Sequence, residues 1–359
     1  MKKLGLLLGI VFSLVFATTV YATGFKTVDG KKCLVKENGE TVTGWITEEY
    51  NPAGEASEAW KSAAFYAEQD GSVAVNKWLQ IPVSDGGQTQ NYWFYFGSGG
   101  RKIYNNKDAE CLDYKVDNNN YAFAVDGHMV TGWARVKDAD DDISGWRYYL
   151  ADGTRQPEGW FKAVPDANLN AEAAKAGTEV WYYADANGKI ASNAIKLIDK
   201  KKYLFNEAGE MVKGLVIVAF DGGNSYVSGV EYVKTLDDVE SAKGCGDDTT
   251  KTGLYYFGDD GAMKVGKHVI TIEGQECHFF FTTSGNRMGK GVTGVQNSHL
   301  YTDGVLTKAD KDAKIEIIDL KNGKQALLNS NGVVYTSGTH KDGDGTKYKV
   351  KNGVVEIVE

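Results

Sequence analysis

Tyr121-Ala122-Phe123-Ala124-Val125-Asp126-Gly127-His128-Met129-Val130-Thr131-Gly132-Trp133, then Trp146, Gly159-Trp160 and Trp181-Tyr182-Tyr183-Ala184-Asp185-Ala186-Asn187-Gly188, is the stretch that decides the fold. It reads as a short aromatic strand, a turn ending in glycine, a second short strand, a Gly-Trp pair and a loop, after which the pattern returns. Aromatic and β-branched residues favour strands, and Asp-Gly or Asn-Gly tolerates the positive φ angles of a tight reversing turn. A single hairpin is marginal in water, so a chain built from this unit must stack its copies to bury a continuous aromatic face.

Working outward, two apolar or aromatic residues, four variable ones and a glycine recur at 33–39 (CLVKENG), 65–71 (FYAEQDG), 94–100 (FYFGSGG) and 121–127 (YAFAVDG). The pattern continues at 182–188 (YYADANG), 203–209 (YLFNEAG), 255–261 (YYFGDDG), 279–285 (FFFTTSG) and 326–332 (ALLNSNG), with weaker copies ending at Gly153, Gly304 and Gly353. In four copies a second glycine follows five residues later, at Gly44, Gly132, Gly214 and Gly266. The spacing is irregular, and residues 46–63, 161–179 and 216–253 read as surface insertions between hairpins. Thr235 to Asp238 has the form of a helix capping box, with Gly244 placed as a C-cap. The expected fold class is all-β: a solenoid of stacked short β-hairpin repeats with loop and short-helix insertions.

Residues 1–22 read as a secretory leader: basic Met1-Lys2-Lys3, an apolar run over 4–20, and small residues before a cleavage point after Ala22. The run is short for a membrane span. Cleavage removes two lysines, taking the formal charge from -8 to -10 on 359 - 22 = 337 residues. An acidic mature chain disfavours nucleic acid and anionic membrane surfaces as partners. The expected division is leader 1–22, tryptophan-rich repeats 23–190 and degenerate repeats 191–359, with no membrane span after leader removal. Glycine is abundant at 43 residues against 4 prolines, yet aromatics reach 12%, which a disordered glycine-rich chain would lack. Cys33, Cys111, Cys245 and Cys277 all fall in the exported part, where disulfides are permitted, and four cysteines allow three pairings.

These residues resemble the choline-binding and cell-wall-binding repeats of Gram-positive bacteria, to which glucan-binding domains and the glycan-binding tails of clostridial toxins are related. The resemblance rests on Gly-Trp after an aromatic hairpin, Trp-Tyr-Tyr opening the next, and Met129, Met211 and Met263 two residues after a turn glycine. It implies a non-catalytic attachment role, at the cell surface or wall of a secreted protein, through choline-type or glycan wall polymers. It also implies aromatic cages between neighbouring hairpins, because a quaternary ammonium is drawn to ring faces and has no hydrogen to donate.

Carried over position by position, the cages are Trp133 with Trp146, closed by Tyr183 or Tyr182; Trp160 with Trp181 and Tyr203; and Trp78 with Trp93. Trp45 has Ala64 where the second tryptophan belongs, so that cage is incomplete. All eight tryptophans lie at or before residue 181, and Leu215, Lys267 and Val295 replace the Gly-Trp tryptophan further on. Tyr255, Phe279, Phe280 and Phe281 are expected in the core. Asp138 to Asp142 begins like a calcium loop, but Ile143 stands where such a loop needs glycine and Tyr149 where it needs glutamate. The five histidines stand apart from any nucleophile or metal signature, and no cofactor motif appears. The chain is therefore expected to be a binding protein, not an enzyme. External glycan, or a protein partner held by the insertions, are the rival ligands.

Overall fold

The computed structural model describes residues 23–53, 58–107, 109–137, 143–221, 226–246, 252–320 and 324–358. The leader and the acidic 138–142 stretch lie outside these. The chain divides into two compact units, Met1–Asp138, Tyr149–Arg155 and Ala139–Tyr148, Gln156–Glu359. Secondary structure is mostly β, arranged as many small antiparallel sheets, and no helix among the described residues is long and apolar enough to cross a membrane.

In the first unit the paired strands are Gly24–Val28 with Lys31–Val35, Gly44–Ile46 with Phe65–Ala67, Lys77–Asp85 with Gln88–Phe96, and Cys111–Val116 with Asn119–Ala124. The phase of the hairpin differs from the one the repeat glycine suggests. The regular ladder joins each leading strand to the aromatic strand that follows it: Gly44-Trp45 and Gly159-Trp160 pair across residues 47–64 and 164–179, while Gly24–Val28 and Cys111–Val116 pair through the tight turns Asp29-Gly30 (φ 49 and 76°) and Asp117-Asn118 (φ 47 and 75°). Both central residues take positive φ, the geometry that matches the twist of the flanking strands.

The repeat glycine instead closes a small loop beyond the aromatic strand. At Gly127 the glycine N–H donates to Ala124 O (3.0 Å) and Ala124 N–H to His128 O (2.9 Å). The residue two places after the glycine then turns its backbone to the preceding hairpin. Val73 N–H donates to Lys32 O, Lys102 N–H to Ala64 O, and Arg155 N–H to Asn120 O, at 2.7 to 2.8 Å. That is why the strand after the glycine is short: its hydrogen bonds are spent between hairpins.

The side chain of the same residue covers the next repeat glycine. A Cβ on Gly71 would lie 2.7 Å from Thr41 Oγ1, one on Gly100 3.0 Å from Val73 Cγ1, and one on Gly153 would overlap the Met129 thioether. The second unit repeats the device, with Ile190 over Gly209 and Met211 over Gly261, while Met263 seats on Gly289, four residues beyond the repeat glycine Gly285. Each glycine is thus required twice, for its positive φ and for the neighbour seated on it.

The second unit holds the hairpins Gly159–Ala163 with Val180–Ala184 and Ala194–Ile198 with Lys201–Phe205, then sheets of three, five, three and three strands. All three insertions depart in part from the surface reading, 161–179 through buried Phe161 and Ala163. Residues 216–253 include a central strand, Gly214–Asp221, flanked by Tyr226–Tyr232 and Thr252–Phe257, with Val216 and Val218 fully buried. Their alternating apolar residues face a core containing Phe257 and Leu204, so this stretch is scaffold and cannot be removed as a loop. Helix Leu236–Ala242 has the expected capping box, Thr235 accepting from Asp238 N and Asp238 from the Thr235 backbone. It ends on Lys243 in right-handed conformation, one residue before Gly244. Val239 and Ala242 pack with Phe279 and Phe281.

Within 46–63, Trp60 on the short helix Ala59–Ser62 is buried and donates to Ser84 O (2.8 Å). Only the helix Ala171–Ala176 of the 161–179 insertion lies wholly on the surface, capped by Asn170 and by Gly177 at φ 64°. Of the four aromatics assigned to the core, Tyr255, Phe279 and Phe281 are buried; Phe280 is half-buried against Tyr301. All four cysteines are free thiols, Cys33 and Cys111 buried, Cys245 and Cys277 half-buried.

Candidate functional site: aromatic clusters in each unit

Alternation along Lys77–Asp85 and Gln88–Phe96 sends Phe94 and Phe96 inward and leaves Trp93 on the opposite face, 41% exposed. Trp78 pairs in register with Tyr95 and lies 5.1 Å from it. The neighbouring three-stranded sheet brings Tyr121 to 4.8 Å and Phe123, stacked at 19°, to 5.6 Å from the Trp78 ring. Between these rings opens a cleft of about 380 Å³ lined by Trp78, Trp93, Tyr121, Met129, Ala151 and Asp152.

The Asp152 carboxylate accepts from Thr154 Oγ1 (2.7 Å) and Thr154 N–H (2.9 Å), and those bonds hold it below the usual carboxylate range. The cleft therefore combines three ring faces, a polarisable thioether and one anion. This is the chemistry of a cation site with little hydrogen-bonding demand.

In the second unit Trp160 stands at the centre of a ring cluster. Trp181 is 6.3 Å away and perpendicular, Tyr183 5.4 Å, Tyr203 4.8 Å and Phe205 5.6 Å. Met211 and Ile198 support it from below. Trp181 is 36% exposed, and the ammonium of exposed Lys162, its cross-strand partner, lies 5.3 Å from its ring. Tyr183 Oη donates to Glu158 (3.3 Å).

The structure brings together Trp78 with Trp93, and Trp160 with Trp181, Tyr183 and Tyr203. Tyr183 thus serves the Trp160 cluster, while Tyr182 is fully buried and stacks on Phe161 at 5.5 Å. Trp146 is also buried, at 4% exposure, and Trp133 is half-buried. A buried indole offers no open face to a ligand, so Trp146 is core. Tyr121 and Met129 were missed as cleft residues, although the first aromatic of the next repeat and the methionine after its glycine mark both positions.

No protein-family model matches the chain. Glucosyltransferase-S of Streptococcus mutans is 27% identical over 248 residues, 57% of this chain, and the match spans 16% of the enzyme's length. Among solved structures, the chain is similar to choline binding protein F of Streptococcus pneumoniae, with 19% identity and a TM-score of 0.44 over 94% of this chain and 99% of that one. The modular autolysin LytC of the same species gives 15% identity and a TM-score of 0.40, covering 87% of this chain and 48% of LytC. The chain is thus similar in sequence to part of a streptococcal glucosyltransferase and, among solved structures, to streptococcal choline-binding proteins.

Proposed function

We propose that this is a secreted, non-catalytic protein of the cell envelope, whose hairpins stack as a solenoid and hold choline-type groups of wall polymers. The observation that carries the reading is the Trp78, Trp93, Tyr121 and Met129 cleft with Asp152 at its edge. A quaternary ammonium gains roughly 0.5 to 2 kcal/mol from each ring face it meets, more as it is desolvated. The carboxylate adds attraction without requiring a donor from the ligand. The Trp160 cluster supplies a second position of the same kind once Lys162, which is exposed and free to swing, leaves the Trp181 face.

A second reading is a glycan-binding adhesin, favoured by the sequence match to a glucosyltransferase and by the exposed faces of Trp93 and Trp181, which suit stacking on sugars. An amine resin separates the two. Retention and elution by millimolar choline support the first; passage through the resin with retention on immobilised glucan supports the second.

A further inference from the structure

The Trp78 cleft has counterparts at equivalent register in the two preceding hairpins. Trp45 pairs with Tyr66 as Trp78 pairs with Tyr95, and Phe25 pairs with Leu34 in the same way. Following the repeat, Phe94 stands at the Tyr121 position. Lys102, two residues after Gly100, stands where Met129 follows Gly127. The stem of Lys102 runs over the next repeat glycine as Met129 does: a Cβ on Gly127 would lie 2.8 Å from Lys102 Cδ.

The head group then turns into the cage. Lys102 Nζ lies 5.3 Å from the Trp45 ring and 5.8 Å from Phe94, and donates to Trp60 O (2.8 Å) and Lys61 O (3.3 Å). Lys102 and Trp60 are each 2% exposed, so the chamber is closed. In the first hairpin Lys32 takes the register of Trp93, and its Nζ lies 4.1 Å over Phe25, 5.4 Å from Phe65 and 2.7 Å from Gly99 O.

We propose that the aromatic positions at Trp45 and Phe25 are cation sites filled by the chain's own lysines, Lys102 and Lys32. The ligand class differs from that of the open cleft. A quaternary ammonium donates nothing, whereas the two carbonyls at Trp60 and Lys61 would be left without a donor unless the guest carries N–H groups. The Trp45 chamber therefore takes a primary alkylammonium, supplied in cis. Burial lowers the Lys102 pKa to about 8, opposed by the field of Asp126, so the group stays charged at neutral pH. Ala64, in place of the second tryptophan, leaves a gap that the helix bearing Trp60 covers. The incomplete cage is thus a closed one.

The test uses the full chain and does not depend on external cations binding at Trp78. Lys102→Ala deletes the outline of n-propylammonium. Thermal melts are recorded in sodium, tetramethylammonium and n-propylammonium chloride at equal ionic strength. We expect n-propylammonium at about 50 mM to raise the Lys102→Ala melting temperature, relative to sodium, by roughly 2–5 °C more than it raises that of wild type, with tetramethylammonium shifting the two proteins equally. An equal response of variant and wild type overturns the proposal. Should the variant not fold, reductive methylation of the native wild-type protein decides. The proposal expects Lys102 to stay unmodified while exposed Lys115 is dimethylated, and modification of both at the same rate refutes it.

Discussion

Replacing Gly261 by alanine tests the contact that joins successive hairpins, because it challenges both requirements on the repeat glycine. At φ 72° an alanine enters the left-handed region, at about 1–2 kcal/mol. The new methyl would also overlap the Met211 thioether, and overpacking of this kind costs typically 1–3 kcal/mol. Gly274, at φ 78° with nothing within 4 Å of its virtual Cβ, isolates the first cost. Gly274→Ala should therefore destabilise by about 1–2 kcal/mol and Gly261→Ala by about 2–5 kcal/mol. Met211 is half-buried, so Met211→Ala alone should cost about 1–2 kcal/mol.

In the double variant the alanine methyl enters space the thioether has left. The combined loss should fall short of the sum by at least about 1 kcal/mol. Guanidinium unfolding followed by circular dichroism gives the four free energies, with hydrogen exchange at residues 200–265 reading the second unit directly, since repeat arrays can unfold in parts. Additivity within about 0.5 kcal/mol, or equal costs at Gly261 and Gly274, would refute the interlocking account.

Two further outcomes follow from buried titrating groups. Folding lowers the Lys102 pKa from 10.5 to about 8, so between those values the unfolded chain binds more protons and stability rises with pH. Relative to Lys102→Met, wild type should gain up to about 3 kcal/mol between pH 8 and pH 10.5, measured by denaturation at stepped pH; parallel profiles would contradict this. Burial pushes the Cys111 and Cys245 thiols up to about 11, so at pH 8 iodoacetamide should label half-buried Cys277 well before Cys111 in native protein. Mass mapping that finds Cys111 labelled first would show the site to be open.

The sequence made the repeat legible because its glycines are fixed by backbone φ and its aromatics by burial. The phase of the hairpin was hidden, since pairs such as Asp117-Asn118 and Asp199-Lys200 make the reversing turns without a glycine, while the conspicuous glycines serve the contact between hairpins. Residues 216–221 looked like an insertion for lack of the repeat signature, yet Val216 and Val218 alternate into the core. Trp78 with Trp93 and Trp160 with Trp181 were readable from spacing. Trp146, spaced just as well, is buried; spacing places a side chain on a strand but leaves open which face the next element covers. The filling of the Trp45 cage by Lys102 was invisible for a related reason, as a lysine after a turn glycine reads as a solvated charge.

The most direct test of the central claim is titration with choline followed by tryptophan fluorescence, for wild type, Trp93→Ala and Trp181→Ala. Both rings are more than a third exposed, so neither change should unfold the chain. The account predicts saturable binding by wild type, weakened roughly 2- to 30-fold at the site that loses a ring face. No saturable response in wild type, or affinities unchanged by both substitutions, would contradict it.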